Sequence, residues 1–169
     1  MRILISVDVG YGLTKAISSE GNRVEFPSVI APLTPGLTDD ELPKHTVKIV
    51  QGDNVIEKVV GQAALESHAP QRLSGEEKPA EIHDVLLLTA VALLLKGKPA
   101  DAAIDLAVGL PIEYYRYQSQ KLASRLSGLA CKVEADDLSE RHIAFSGVRV
   151  EPQGTGALVA SGVAFPENG

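Results

Sequence analysis

The order of apolar runs predicts a mixed α/β layer: an initial antiparallel meander, a small insertion, then strands joined by helical crossovers. Three observations carry that expectation. Residues 3–30 hold three strand-length runs split by Gly10, Gly12, Gly21 and Asn22, and residues 80–95 form one long stretch of helical length, amphipathic at its start and apolar from residue 85 on. Beyond residue 100, further strand-length runs flank a second helical pattern.

Residues 3–7, 13–18 and 23–30 read as the strands of the meander. Glu20-Gly21-Asn22 makes the second connection a tight hairpin, because Gly and Asn accept the positive φ that such turns need. Residues 31–45 carry Pro32, Pro35, Gly36 and Pro43 around Asp39-Asp40-Glu41, a composition that predicts a loop. The three adjacent carboxylates read as solvated rather than as a cation site, since nothing else in the sequence converges on them. Residues 46–50 and 55–60 form a second hairpin around Gly52-Asp53-Asn54, and residues 61–68 form one or two helical turns. A polar connection, 70–79, leads to the 80–95 helix, which Lys96-Gly97-Lys98-Pro99 stops. Residues 103–108 make a buried strand, Pro111 a turn, and 114–126 a second helix ended by Gly128. Tyr114, Tyr115 and Tyr117 around Arg116 are expected to anchor that helix in the core rather than to stack on nucleic acid. Residues 129–134 and 142–150 are the last strands, followed by the Gly-rich turn Gln153-Gly154-Thr155-Gly156 and a helix start at 157–165.

Composition excludes several function classes. With 169 residues, 44% hydrophobic and 22% charged, the chain has the makeup of one soluble globular domain that needs no disulfide or metal staple. Its lone cysteine, Cys131, rules out a disulfide framework and a four-cysteine zinc site. A net charge of −6 argues against non-specific binding to nucleic acid or anionic membrane. The apolar run 85–95 is far shorter than the roughly 20 residues a membrane span needs. The N-terminal run ends on Asp8 too early for a signal peptide, so cytoplasm is the expected compartment. His45, His68, His83 and His142 lack paired metal-ligand spacing, and there is no G-x-S-x-G elbow.

Two segments carry chemistry. In Asp8-Val9-Gly10-Tyr11-Gly12-Leu13-Thr14-Lys15, two glycines let successive backbone N–H groups point into one concavity, Lys15 supplies a cation, and Asp8 can hold a hydrated Mg²⁺. An ordinary glycine hairpin explains the same residues, and the spacing is not that of a Walker loop. In Gln153-Gly154-Thr155-Gly156-Ala157, the Gln153 amide could orient a water for in-line attack on a γ-phosphate; a plain helix-starting turn is the alternative.

Taken with three further segments, these residues resemble the actin-like ATPases of the ribonuclease H-like actin superfamily. Asp8 to Ala16 is similar to the family's first phosphate loop, D-x-G-x-G-x-x-K-A, and Glu25-Phe26-Pro27-Ser28-Val29 to the F-P-S strand that follows. Val59-Val60-Gly61-Gln62-Ala63-Ala64 resembles the V-G-x-x-A helix start. The stretch Ala107-Val108-Gly109-Leu110-Pro111-Ile112-Glu113-Tyr114-Tyr115 is similar to the G-L-P-x-x-Y-Y corner of the plasmid-segregation (ParM-type) actins. Each segment is common alone, whereas five in order are specific. The resemblance covers essentially the whole chain but only the first half of the family's fold.

The resemblance implies an N-terminal domain with a central five-stranded mixed sheet, flanking helices and a small β-containing insertion at about 31–78, the core being about 1–30 and 79–169. The second nucleotide-binding domain of such proteins is not found within these residues. It further implies Mg²⁺ and ATP in an interdomain cleft, self-association into filaments, an adaptor protein, and a role in plasmid or DNA segregation. Carried residue by residue, Asp8 acts on the metal through water. The backbone of Gly10, Tyr11, Gly12 and Leu13 and the Lys15 ammonium hold the phosphates, Gly154 of the second turn also binds the nucleotide, and Gln153 positions the attacking water. Gln153 stands where related segregation actins often have Glu, and Tyr11 where eukaryotic actins have a small hydroxyl. Half of the site would lie outside the chain, so the chain alone is expected to bind ATP weakly or not at all. Two rivals remain: a non-catalytic module that caps or regulates such filaments, and half of a sugar-kinase or chaperone-type ATPase. The second lacks a sugar-binding constellation.

Overall fold

A computed structural model describes residues 1–33, 45–75, 78–136 and 138–153. The strands are β1 (Arg2–Val9), β2 (Leu13–Ser18), β3 (Arg23–Pro27), β4 (Val29–Pro32), β5 (His45–Gln51), β6 (Asn54–Val60), β7 (Gln71–Arg72), β8 (Ala103–Leu110), β9 (Ala130–Ala135) and β10 (Arg141–Pro152). The helices are α1 (Gln62–Leu65), α2 (Ala80–Leu94) and α3 (Ile112–Ser127). The strands form one ten-stranded mixed sheet in the order β3-β2-β1-β8-β10-β9-β5-β6-β4-β7.

Its first half is the meander extended by two parallel strands: β2 is antiparallel to both β1 and β3, β8 is parallel to β1, and β10 is parallel to β8. Alternation along each strand decides which face is buried. Ile3, Ile5, Val7 and Val9 of β1 lie beside Ile104, Leu106 and Val108 of β8, all almost fully buried. The intervening positions Arg2, Leu4, Ser6 and Asp8 point to the opposite, exposed face. β10 joins the two halves. Residues Phe145 to Pro152 pair with β8, Arg141 to Ala144 pair with β9, and an irregularity between Phe145 and Gly147 redirects the strand.

The meander's third run does not continue to residue 30 as one strand; it breaks at Ser28. Pro27 has no N–H to donate, and the buried Ser28 hydroxyl meets Thr14 Oγ1 at 2.8 Å while its N–H bonds the Gly12 carbonyl. The chain then enters the second half of the sheet as β4, which takes residues 31 and 32 out of the expected loop. Asp39-Asp40-Glu41 and the expected helix start at 157–165 lie outside the described residues.

The α2 helix is apolar almost all round because both halves of the sheet contact it: β1, β2 and β3 from one, β4, β5, β6 and β9 from the other. Leu86, Leu87 and Val91 have no exposed surface. Helix α3 behaves differently from the expectation. It lies against β10 and β8, yet Leu126 is its only fully buried residue among those described, and Tyr117 is 84% exposed. Tyr117 is therefore not a core anchor, because its position on the helix faces away from the strands. No helix of the described residues is long and apolar enough to cross a membrane.

Among the described residues, two titratable groups are buried here, His83 on α2 and Cys131 on β9, which packs against it. Burial, with a smaller contribution from the charge of Asp84, pushes the Cys131 thiol up to about 11, which keeps it a weak nucleophile. His83 is lowered chiefly by burial, its hydrogen bond and charge interaction with Asp84 raise it, and the charges of Arg125 and Lys78 lower it further. The folded protein thus holds His83 neutral where the unfolded chain takes up a proton, so stability falls as pH drops below the ordinary value of 6.5. We expect denaturation midpoints measured between about pH 7.5 and pH 5.5 to fall on acidification, and His83→Gln to reduce that fall. An unchanged slope in the variant would assign the acid sensitivity to other groups.

Candidate functional site

The parallel register brings the carboxyl ends of β1, β8 and β10 to one level: Val7 is beside Val108, and Val108 beside Val150. Crevices at such strand ends are where open α/β sheets bind ligands. Asp8 reaches the exposed face near the end of β1, and Gln153 follows the end of β10. The Gln153 Nε2 donates to Asp8 Oδ1 at 2.7 Å, and its backbone N–H bonds the Leu110 carbonyl at 2.6 Å. A carboxylate can only accept, so the amide nitrogen faces Asp8 and the amide oxygen is left to bind a donor such as water.

Gly109, on the strand between them, makes this contact possible. A Cβ there would lie 3.2 Å from Gln153 Cγ and 3.6 Å from Asp8 Oδ1. The sequence does carry a signal for this, a glycine inside a strand, which commonly marks close approach of another group.

Residues 10–13 form the turn from β1 to β2. Its geometry depends on Gly10, whose N–H bonds the Leu13 carbonyl at 3.0 Å and whose absent side chain would strike that same oxygen at 2.8 Å. Gly10 therefore shapes the turn while its own N–H is already used. No backbone bond of the turn uses the Tyr11 or Gly12 N–H among the described residues. Gly12 is open, with nothing within 4 Å of the place a methyl group would take. Leu13 is 39% exposed.

Lys15 pairs with Asp8 across β1 and β2, so both side chains leave the same face; its ammonium lies 3.5 Å from Glu25. Tyr11 is turned toward the segment that precedes α2: its hydroxyl donates to the Gly75 carbonyl at 2.7 Å.

Lys78, which no motif in the sequence marks, completes the cluster. Its ammonium donates to the Val9 carbonyl and lies 5.0 Å from the centre of the Tyr11 ring. Burial lowers its pKa, and the charge of Asp8 partly offsets that. Asp8, Gly10, Tyr11, Gly12, Leu13, Lys15 and Gln153 are thus gathered at one end of the sheet, with Lys78 and Gly109 added; Gly154 lies outside the described residues.

The donor set suits a hydrated cation better than a caged one. Among the described residues no three His, Cys, Asp or Glu side chains converge, and Asp8 is a single carboxylate at the mouth of a turn rich in N–H groups. Mg²⁺ is commonly held in this way, through one or two carboxylates, water and substrate phosphates.

The family model for the N-terminal domain of actin-like proteins matches residues 6–156. Among solved structures, a non-polymerisable quadruple mutant of pCBH ParM is 30% identical, over 94% of this chain and 48% of that one, with a TM-score of 0.78. A 15-stranded ParM filament from Clostridium botulinum is 29% identical, over 93% and 49%, with a TM-score of 0.80. The archaeal actin homologue Ta0583 shares the fold at 21% identity, over 99% and 51%, with a TM-score of 0.71. The chain spans about half the length of each. No curated protein sequence matches it.

Proposed function

Since the chain belongs to the actin-like proteins, we propose that it is the N-terminal half of a filament-forming ATPase and supplies one wall of a cleft that holds Mg–ATP. The observation that carries this reading is the contact of Asp8 with Gln153 across Gly109, beside the 10–13 turn. Asp8 holds Mg²⁺ through water, while the Tyr11 and Gly12 N–H groups and the Lys15 ammonium hold the β- and γ-phosphates. Bound magnesium would offset phosphate charge. Gln153 orients the attacking water without taking its proton, since an amide is not a base at neutral pH. Gly154 belongs to the same wall in this reading.

Several matched structures are filaments, including ParM and Alp12 assemblies and an AlfA filament bound to AMPPNP. They support self-association of this protein as well, with hydrolysis timing disassembly. Plasmid or DNA segregation through an adaptor, in the cytoplasm, is the role this reading implies. Light scattering and phosphate release, followed together on the full-length protein, test it. Scattering should rise on addition of Mg–ATP and decay as phosphate accumulates. Absence of both ATP binding and assembly would overturn the proposal.

A further inference from the structure

The peptide unit that joins Val9 to Gly10 leads from β1 into the 10–13 turn, and both of its polar groups are held. Its N–H, on Gly10, bonds the Leu13 carbonyl at 3.0 Å, and its carbonyl, on Val9, accepts from the Lys78 ammonium. The second bond replaces one that the sheet does not make. In the parallel pairing of β1 with β8, the Ala103 N–H bonds the Met1 carbonyl, and the register advances residue for residue from there. Continued to the ends of the strands, that pattern sets residue 111 opposite the Val9 carbonyl. Residue 111 is proline and has no N–H to donate. Val9 is buried, so its carbonyl depends on another donor.

Lys78 brings that donor from a firm base. It directly precedes Pro79, whose ring fixes the backbone at the start of α2, and α2 packs against both halves of the sheet. A second tie joins the same two segments. The ammonium lies 5.0 Å from the centre of the Tyr11 ring, and the Tyr11 hydroxyl donates to the Gly75 carbonyl at 2.7 Å. Burial lowers the Lys78 pKa and the charge of Asp8 partly restores it, which fits an ammonium that takes its hydrogen bonds from protein rather than from water.

Resting on the nucleotide reading above, we propose that Lys78 is a positioning residue of the 10–13 turn. By holding the Val9 carbonyl it fixes the Val9–Gly10 peptide plane, and so aims the N–H groups of Tyr11 and Gly12 at the phosphates. Lys78 does not itself touch the nucleotide; Lys15 supplies the direct charge. Once the carbonyl is released the peptide plane can rotate, and the two N–H groups that follow lose their common direction.

Hydrogen exchange of backbone amides in the nucleotide-free full-length protein tests the clamp, and titration with ATP tests its consequence. In Lys78→Met, which keeps the stem and removes the donor, the Gly10 amide should exchange at least about tenfold faster, while the Leu87 amide within α2 keeps the wild-type rate. ATP affinity should fall about tenfold, the scale of one hydrogen bond to a charged group. Lys78→Arg, which retains a cationic donor, should recover most of both effects. Tyr11→Phe, which cuts only the tie to Gly75, should give an intermediate rate at Gly10. Equal acceleration at Gly10 and Leu87 would overturn the proposal, because Lys78 would then support the fold rather than the turn. Unchanged exchange at Gly10 in both Lys78→Met and Tyr11→Phe would overturn it outright. Wild-type ATP affinity in Lys78→Met would overturn it while leaving the nucleotide reading intact. Absence of ATP binding by the wild type would remove the nucleotide reading itself, and the positioning role with it.

Discussion

Gly10→Ala is expected to weaken ATP binding by at least about 100-fold, the scale at which a displacement of about 1 Å misplaces bound groups. The new methyl would lie 2.8 Å from the Leu13 carbonyl oxygen, a contact that requires something to move. That oxygen begins β2, which is paired with β1 on one side and β3 on the other, so the sheet resists its displacement. The turn must open instead, which breaks the Gly10 N–H bond to Leu13 and redirects the N–H groups of Tyr11 and Gly12. The same crowding should lower stability by about 1–3 kcal/mol, as overpacking usually does.

Gly12→Ala is the matched control. Nothing stands within 4 Å of the added methyl, and Gly12 is not among the positive-φ glycines, so the melting temperature should not change. Its binding should fall by about tenfold, because the methyl occupies space that a phosphate approaches. Titration of a fluorescent ATP analogue, read with thermal melts, separates these effects. Wild-type affinity in a folded Gly10→Ala protein would mean that the turn does not cradle phosphate.

Asp8→Ala and Gln153→Ala should divide binding from turnover. Both side chains lie at the exposed end of the sheet, outside the packed core, so the fold should survive each change. Asp8→Ala removes the carboxylate that would hold hydrated Mg²⁺, and both nucleotide binding and assembly should become insensitive to added magnesium. Gln153→Ala leaves Asp8 and the turn in place. It should bind ATP, assemble and release phosphate about 100-fold more slowly, giving filaments that persist. Scattering traces and phosphate release on the same samples distinguish the two. Equal loss of assembly in both variants would show that Gln153 supports binding or structure rather than the attack of water.

Strand identity in this protein is local. The short, mostly apolar run at residues 3–7, the Gly21 turn with φ of 86° and the second hairpin each depend on residues a few positions apart, and the structure agrees with the sequence on all three elements, although β6 already begins at Asn54, inside the expected turn. The even distribution of leucines on α2 likewise announces a helix buried on every side. The 23–30 run misleads because its break at Ser28 comes from a bond to Thr14 and from a change of sheet partner, neither of which is visible in local alternation. Tyr117 misleads because a tyrosine's type does not say which side of α3 meets the strands.

The site divides in the same way. The 8–15 segment is legible because a turn of this kind needs glycine and ends in a cation within one short stretch. Gln153 is marked by a Gly-rich turn and by resemblance, but its contact with Asp8 is set by β8, which lies parallel between β1 and β10 and aligns their carboxyl ends. Lys78 carries no signal at all, since it reaches Val9 and Tyr11 only because α2 packs against the meander. By itself, then, the sequence determined most of the elements and the glycine turn at 10–13, because periodicity and turn sterics act over a few residues. Only the tertiary structure decided which distant groups share the site, because that depends on strand register and helix packing between segments far apart in the chain.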